Sequence, residues 1–446
     1  MHFPTLVSKR LEHIRNARRS RAEIDALQLR KFRRLVRHAV AHSPYYRDLV
    51  DARRIDVDTC CVEDFPPLTK GDLIANLDRI LTVPAITRTA ITEFLERSHD
   101  SFELFQGEYY VVNSSGTSGM PGYIAFSRRD WARGIAHALR VNPPSLGRRR
   151  VAYFARTKGH AVGVSFATST KRWPLSLIYD VALFDLNERL ANVIEGLNRF
   201  RPTILMGYPS ALTALAGEQR RGALRVQPKW VQSSGEPVTP GDRALIESTF
   251  GAPFTNVYSC TEHMLMGFSR SEFEGMYLFE DDLIFEMAAD HTLVTNLFNF
   301  TTPLIRYHMN DTLVPVADSV RALPFTKIAE IVGRGEMGVH FTNAHGVDDV
   351  IQPSAVAVLH AKNVRGFQVY VTGKTSCALR VCLDHGLDED ARRAALSTIH
   401  AGFRDLLATK EMGNVALALE EVTEFPRDER SGKFRIVAYA PGVQRT

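Results

Sequence analysis

The stretch Ser114-Ser115-Gly116-Thr117-Ser118-Gly119-Met120-Pro121-Gly122 follows the apolar run Tyr109-Tyr110-Val111-Val112 and combines hydroxyls with glycines. Hydroxyls donate to phosphate oxygens, and glycines let backbone amides turn toward an anion. A strand feeding such a loop is a candidate phosphate cradle. It is not the P-loop pattern, because no Gly-Lys-Ser/Thr closes it. A surface turn accounts for the same residues equally well. Further groups able to do chemistry follow along the chain. They are Ser233-Ser234-Gly235-Glu236-Pro237, Tyr258-Ser259-Cys260-Thr261-Glu262-His263, Leu304-Ile305-Arg306-Tyr307-His308-Met309-Asn310-Asp311, Gly333-Arg334 and Gly432-Lys433. Each has an ordinary alternative. Thr261-Glu262 suits a helix N-cap with a first-turn acid. Tyr258 suits a core tyrosine at a strand end. Asp311 and Arg334 suit surface ion pairs, and Lys433 a solvated loop.

Elements must bring these scattered segments together. Apolar residues at helical spacing run through Ile24, Leu27, Leu29, Phe32, Leu35, Val36 and Val40, and Ser43-Pro44 stops that helix. Thr69 is an N-cap candidate after Pro66-Pro67. From residue 109 onward, short apolar runs alternate with helical segments. Strands are expected at 151–154, 203–206 and 230–232, and helices at 186–200, 209–220 and 239–250. That rhythm predicts an α/β fold with a parallel-type sheet and crossover helices. Ligands in such sheets sit beyond the carboxyl ends of strands, where the segments at 114, 207 and 233 are expected to fall. The pattern turns strand-rich at 277–316, with runs at 283–287, 293–297, 304–307 and 313–316. This predicts a β-meander or a small β-barrel region. Past Gly333-Arg334-Gly335, strands at 367–372, 378–383 and 416–420 and a helix at 389–407 predict a small α+β unit. The expected domains are 1–334 and 335–446.

Composition narrows the function classes. With 55 basic and 50 acidic residues, the net charge of +5 suits acidic small molecules and is no nucleic-acid footprint. The basic residues at 15–37 read as a solvated helix face. Five cysteines, Cys60, Cys61, Cys260, Cys377 and Cys382, form neither a Cys-x-x-Cys pair nor a zinc set. A reduced cytoplasm is the expected location. The first residues hold no sustained apolar core of a signal peptide, and no stretch approaches the ~18 apolar residues of a membrane span. No nucleic-acid or membrane partner is expected.

The order and spacing of these motifs resemble the adenylate-forming superfamily of acyl-CoA synthetases and firefly luciferase. Within it, the chain looks most like the phenylacetate–CoA ligase and capsule-biosynthesis branch. The segments Leu35-Val36-Arg37-His38-Ala39-Val40-Ala41-His42-Ser43-Pro44-Tyr45-Tyr46-Arg47 and Phe65-Pro66-Pro67-Leu68-Thr69-Lys70 are similar to that branch's N-terminal region. The resemblance implies ATP- and Mg²⁺-dependent activation of a carboxylic acid to an acyl-adenylate, then transfer to coenzyme A. An aryl or arylalkanoic acid is the implied substrate class.

The resemblance also implies roles. Ser114, Ser115, Gly116, Thr117, Ser118 and Gly119 would hold the β- and γ-phosphates. Thr261 would donate to a phosphate oxygen, and Glu262 would ligate Mg²⁺. Ser234, Gly235, Glu236 and Pro237 would line the adenine edge, with Tyr258 stacked on the base. Asp311 would accept the ribose hydroxyls, and Arg334 would reach the ribose or α-phosphate. Lys433 would bridge the acyl oxygen and the α-phosphate from the mobile small domain, with Glu336 as hinge. His160 matches a substrate-facing position, although a lone histidine is as often structural. Tyr208 is a candidate wall of the acyl pocket.

The chain departs from the family pattern at Met120, at Ser259-Cys260 and at His308-Met309-Asn310. Two other readings therefore stand beside thioester formation. One is an adenylating enzyme passing its acyl group to an amine, a carrier protein or another nucleophile. The other is a non-catalytic nucleotide-binding interaction protein.

Overall fold

The computed structural model describes the whole chain except residues 1, 114–121, 142–146, 158, 237, 289–290, 310, 319–320, 330–338, 352–355, 357–358, 360, 385, 424, 426–435, 441–442 and 444–446. The phosphate-loop candidates 114–119, Pro237, Arg334, Glu336 and Lys433 lie outside the described residues, as does the expected domain boundary.

Five helices come first: α1 (Phe3–Asn16), α2 (Arg21–His42), α3 (Pro44–Arg53), α4 (Lys70–Ile80) and α5 (Arg88–Arg97). Their ends follow from local chemistry. Ser20 and Thr69 close capping boxes with Glu23 and Asp72. Ser43 ends α2 and caps α3, where Pro44 occupies the first turn and needs no N–H partner. The antiparallel hairpin of β1 (Tyr110–Asn113) and β2 (Tyr123–Phe126) flanks the hydroxyl-rich segment, and α6 (Arg128–Val141) follows; β1 pairs with β2 in a sheet of its own, so the segment at 114 does not continue a strand of the parallel sheet, contrary to expectation.

The alternating stretch then runs β3 (Arg149–Ala155), α7 (Val162–Ser169), β4 (Tyr179–Asp185), α8 (Leu190–Phe200), β5 (Ile204–Gly207), α9 (Pro209–Arg220), β6 (Trp230–Ser234), α10 (Pro240–Phe250) and β7 (Phe254–Cys260). Antiparallel strands β8 (Met264–Arg270) and β9 (Phe273–Leu278) continue it, followed by β10 (Leu283–Met287), β11 (Thr292–Asn296), β12 (Tyr307–Met309) and β13 (Lys327–Ile328). An eight-stranded mixed sheet results, in the order β13-β9-β8-β7-β6-β5-β3-β4, parallel from β4 across to β7. Its parallel strands are covered on one face by α8, α9 and α10 through Val193, Leu197, Leu212, Leu215 and Ile246. Strands buried on both faces read as short continuous apolar runs, which is why they are visible in sequence.

The small unit holds β14 (Val339–Thr342) and β15 (Asp348–Ile351), then β16 (Val364–Gly373), β17 (Ser376–Leu383), α11 (Glu389–Thr409), β18 (Ala416–Glu421) and β19 (Val437–Tyr439). A four-stranded sheet, β18-β17-β16-β19, packs on α11 through Val369, Leu379, Ile399 and Phe403. The architecture is thus a large mixed α/β part and a smaller α+β part, as expected.

Several expectations need correction. Of the two alternatives expected for the strand-rich region, the structure gives the meander, three antiparallel strands β10-β11-β12; among the described residues they close no barrel. The strand expected at 304–307 starts only at Tyr307, because Arg306 takes a left-handed φ of 51° that a ladder does not accommodate. Residues 313–316 make a single bridge, Pro315 to Ile328, in place of a strand. The helix expected from 186 begins at Leu190, after a turn in which Glu188 N–H donates to the Asp185 carbonyl. The basic residues at 15–37 are only partly a solvated face. Lys31 turns inward to Asp282 at 2.8 Å, and Arg21 pairs with Glu280.

Candidate active site

The parallel strands end side by side. Register places Ala155 beside Asp185, Phe154 beside Gly207, Gly207 beside Ser233, and Ser234 beside Val257. Their carboxyl ends therefore form one edge, the place where open α/β sheets bind ligands.

At this edge β6 runs into Ser234-Gly235-Glu236. Ser233 donates its hydroxyl to Asn256 Oδ1 at 3.0 Å, which fixes the strand end. Gly235 has φ +84°, and a Cβ there would stand 2.7 Å from the Tyr208 ring. Glycine is required both for the backbone angle and for the ring lying against it. The Glu236 carboxylate accepts from the Ser210 N–H at 3.3 Å and from the Ser210 hydroxyl. Helix α9 has no side-chain cap from its own N-cap residue, Tyr208. Glu236 supplies an acceptor and a negative charge at that helix start.

Next along the edge, β7 passes through Tyr258 into the turn Thr261-Glu262-His263. This turn is a hairpin loop between β7 and β8, not a helix start. The Tyr258 hydroxyl donates to Asp311 Oδ2 at 3.0 Å, with both residues buried. The backbone carbonyl of Asp311 accepts from the Thr292 hydroxyl at 2.8 Å. The Tyr307 hydroxyl donates to Glu262 Oε1 at 3.2 Å. Two carboxylates are each held by a tyrosine hydroxyl, and the tyrosines come from different strands. Tyr307 is itself positioned by neighbours on either side: Leu68 donates to the Arg306 carbonyl and accepts from the His308 N–H, each at 2.9 Å. Arg306 ties the same segment down with a fork onto Glu286 at 2.7–3.1 Å and a bond to the Phe65 carbonyl. Desolvation, with the Glu262 charge beside it, pushes the thiol of the partly exposed Cys260 well above the ordinary range, which disfavours the thiolate.

On the other flank, His160 is buried, its Nε2 3.2 Å from the Ser98 hydroxyl and its ring 5.0 Å from Phe94. Burial lowers its pKa, which keeps the imidazole neutral near pH 7. Its carbonyl accepts from the N–H of Asn113, the residue that leads into the hydroxyl-rich segment. The structure thus brings Tyr258, Asp311, Thr261 and Glu262 together at the ends of β7 and β12. Ser234, Gly235, Glu236 and Tyr208 form a second group, and His160 stands on the β1 side.

Some residues here escaped the sequence reading. Tyr307 sits inside a quoted motif but received no role. Asp185 accepts from the Thr157 N–H at 3.0 Å and from its hydroxyl, shaping the 156–160 loop. It closes β4, a strand missed although Tyr-Asp-Val-Ala-Leu-Phe-Asp carries a β-branched, aromatic signal.

For a divalent cation, Glu262 offers a hard oxygen ligand at the strand-end edge. Among the described residues, His13, His137 and Asp282 also approach one another, with ligand atoms within 4.8 Å. That group is already balanced without a metal. Asp282 takes Lys31 at 2.8 Å, Lys9 at 2.5 Å and His13 at 3.0 Å, while Arg140 pairs with Asp281. Burial alone would raise the Asp282 carboxyl, but the Lys31 and Lys9 ammoniums hold it well below the usual range. A divalent cation would add charge to a cluster in which Lys9, Lys31 and Arg140 already offset Glu12, Asp281 and Asp282.

Comparison with known proteins yields no matching family model. The chain is 27% identical over 359 residues to a phenylacetate-coenzyme A ligase of Aromatoleum evansii, covering 73% of each chain. It is 24% identical over 320 residues to a protein of that name from Thermus thermophilus, covering 65% of each. Protein CapK of Staphylococcus aureus is 22% identical over 323 residues, covering 69% of this chain and 67% of that one. Among solved structures, a 2-hydroxyisobutyryl-CoA ligase bound to its acyl-adenylate and CoA shares the fold with a TM-score of 0.61 at 18% identity. It covers 95% of this chain and 91% of that one.

Proposed function

We propose that the chain is a ligase of the adenylate-forming superfamily, and from that premise that it activates a carboxylic acid with ATP and passes the acyl group to coenzyme A. The substrate we favour is an aryl or arylalkanoic acid, in keeping with the names of two curated relatives. In the first step a carboxylate oxygen attacks the α-phosphorus and pyrophosphate leaves. In the second, the thiolate sulfur attacks the acyl carbon and AMP leaves. The observation that carries this reading is the pair of tyrosine-held carboxylates, Glu262 and Asp311, at the carboxyl edge of the parallel strands.

In this reading Tyr258 stacks on adenine while its hydroxyl orients Asp311, which accepts the ribose hydroxyls as an ionised acceptor. Tyr307 fixes the Glu262 carboxylate so that one oxygen remains directed by that bond. Mg²⁺, when bound, would offset triphosphate charge, and Glu262 would hold it. Thr261 would donate to a phosphate oxygen. Residues 114–119 would cradle the β- and γ-phosphates, with Arg334 at the ribose or α-phosphate and Pro237 beside the adenine edge. Lys433 would stabilise charge between the acyl oxygen and the α-phosphate. Tyr208 and the neutral His160 would wall the acyl pocket. The domains would divide at 334/335, and rotation about Glu336 would exchange Lys433 for a thiol path.

The test is acid-dependent pyrophosphate release over a panel of aryl and alkyl acids, with thioester read by mass after adding coenzyme A. Release with aryl acids and a matching thioester is expected. No release with any acid would overturn the adenylation reading. Adenylate that never yields thioester would overturn the coenzyme A step and leave an amine or carrier protein as acceptor.

A further inference from the structure

Helix α1 is built inside out. Its buried line is Leu6, Lys9, His13 and Asn16, and three of those four are polar. They are held by the Asp281-Asp282 turn: Lys9 at 2.5 Å and His13 at 3.0 Å from Asp282, and Asn16 at 2.9 Å from Asp281. The outward line is Phe3, Val7, Leu11 and Ile14, exposed by 39%, 42%, 62% and 43%. Steps of four, four and three residues place these side chains on one face. An amphipathic helix on a globular protein ordinarily buries that face. Here a charged network docks the helix and turns the apolar stripe to the outside.

The flanks of the stripe are cationic. Arg10 and Arg15 lie beside it and Arg18 just past the helix end; a shallow groove lined by Leu11, Ile14, Arg15, Arg18, Arg19 and Glu23 runs along it, with Glu23 pairing Arg19 at 3.4 Å and leaving Arg15 and Arg18 as its cations. The single acid of the helix, Glu12, is turned to Lys9 and Lys31. A second segment has the same makeup. Trp173, Leu177 and Ile178 are exposed by 78%, 68% and 47%, next to Lys171 and Arg172.

We infer that the outward face of α1 and the 173–178 segment together dock on an anionic lipid surface. Arginines beside an apolar stripe pair with lipid phosphates while the apolar side chains enter the headgroup–acyl boundary, and a tryptophan suits that depth. A second copy of the chain fits less well. It would bring the same arginines against each other, and a stable dimer needs ~800 Å² per partner, more than one four-residue stripe offers. The expectation of no membrane partner rested on the lack of a spanning segment, which does not bear on surface contact.

The experiment is vesicle sedimentation of the full chain. Phosphatidylglycerol–phosphatidylcholine vesicles are compared with pure phosphatidylcholine, at low and high salt. Binding at least ~10-fold stronger to the anionic vesicles, lost at high salt, is expected. Arg15→Ala and Arg18→Ala should each weaken it by about fivefold. Leu11→Glu and the pair Trp173→Ser, Leu177→Ser should abolish it, with circular dichroism and melting checked for an intact fold. Of the three tryptophans, Trp131 and Trp230 are buried, so a vesicle-induced blue shift of emission reports Trp173. Equal binding to both vesicle types, no binding, or unchanged binding by Leu11→Glu would overturn the inference. So would a wild-type dimer that Leu11→Glu converts to monomer without any vesicle binding, which would assign the face to a second copy.

Discussion

His263 closes the Thr261-Glu262 turn and is fully buried, with neither ring nitrogen hydrogen-bonded among the described residues. Its ring meets Tyr307, the residue that holds Glu262, edge-on at 5.6 Å. Burial pushes its pKa down from 6.5 to about 3. The folded chain therefore resists a proton that the unfolded chain accepts. This contribution to stability is complete above pH 6.5 and shrinks as pH falls toward 3. Between pH 7.5 and 5.0 the unfolded histidine takes up nearly one proton, which shifts the balance by about 2 kcal/mol against folding. His263→Leu removes the titrating group and the unpaired ring nitrogens together. Urea unfolding at the two pH values should then show wild type losing about 2 kcal/mol more than the variant. His13 and His137, whose pKa values burial also lowers, act in the same direction in both proteins and cancel from the difference. An identical pH response in wild type and His263→Leu would refute the reasoning, because it would mean that the ring finds water or a partner in the folded state.

Asp282→Asn leaves the Lys9 and Lys31 ammoniums short of their shared carboxylate and should cost roughly 3–5 kcal/mol, read by urea melts, with amide exchange in α1 accelerated first. Gly235→Ala places a Cβ against the Tyr208 ring at a left-handed φ. We expect ATP binding weakened roughly tenfold by calorimetry, from about 1–3 kcal/mol of local strain. Glu262→Gln should lower pyrophosphate release by about 10²-fold and flatten its Mg²⁺ titration; an unchanged titration would remove Glu262 from the metal site. Lys433→Ala should slow acid-dependent pyrophosphate release by roughly 10²–10³-fold while preformed acyl-adenylate still reacts with coenzyme A; equal losses in both steps would sink that assignment.

Sequence alone determined the elements whose signals are local. Thr69 acts as a cap because its hydroxyl reaches the Asp72 N–H three residues on, within its own turn, and Ser43-Pro44 ends α2 because a proline resists continuing a helix. Strands β3, β5 and β6 were legible because burial on both faces leaves continuous apolar runs. The order of motifs pointed to the superfamily for a similar reason, since each motif is a short contiguous run. The tertiary structure decided what depends on residues far apart in the chain. Tyr258 and Asp311 are 53 positions apart, and Tyr307 and Glu262 are 45 apart, yet each pair shares a hydrogen bond. No periodicity reports such a meeting, because sheet order and the register of β7 and β12 set it. The same holds for α1. Its sequence shows an apolar stripe and a polar stripe, and propensity alone would bury the first. The Asp281-Asp282 turn, some 270 residues away, supplies the charges that draw the polar stripe inward. Which face of a helix is the inner one is fixed by what it packs against, and that partner is specified only in three dimensions.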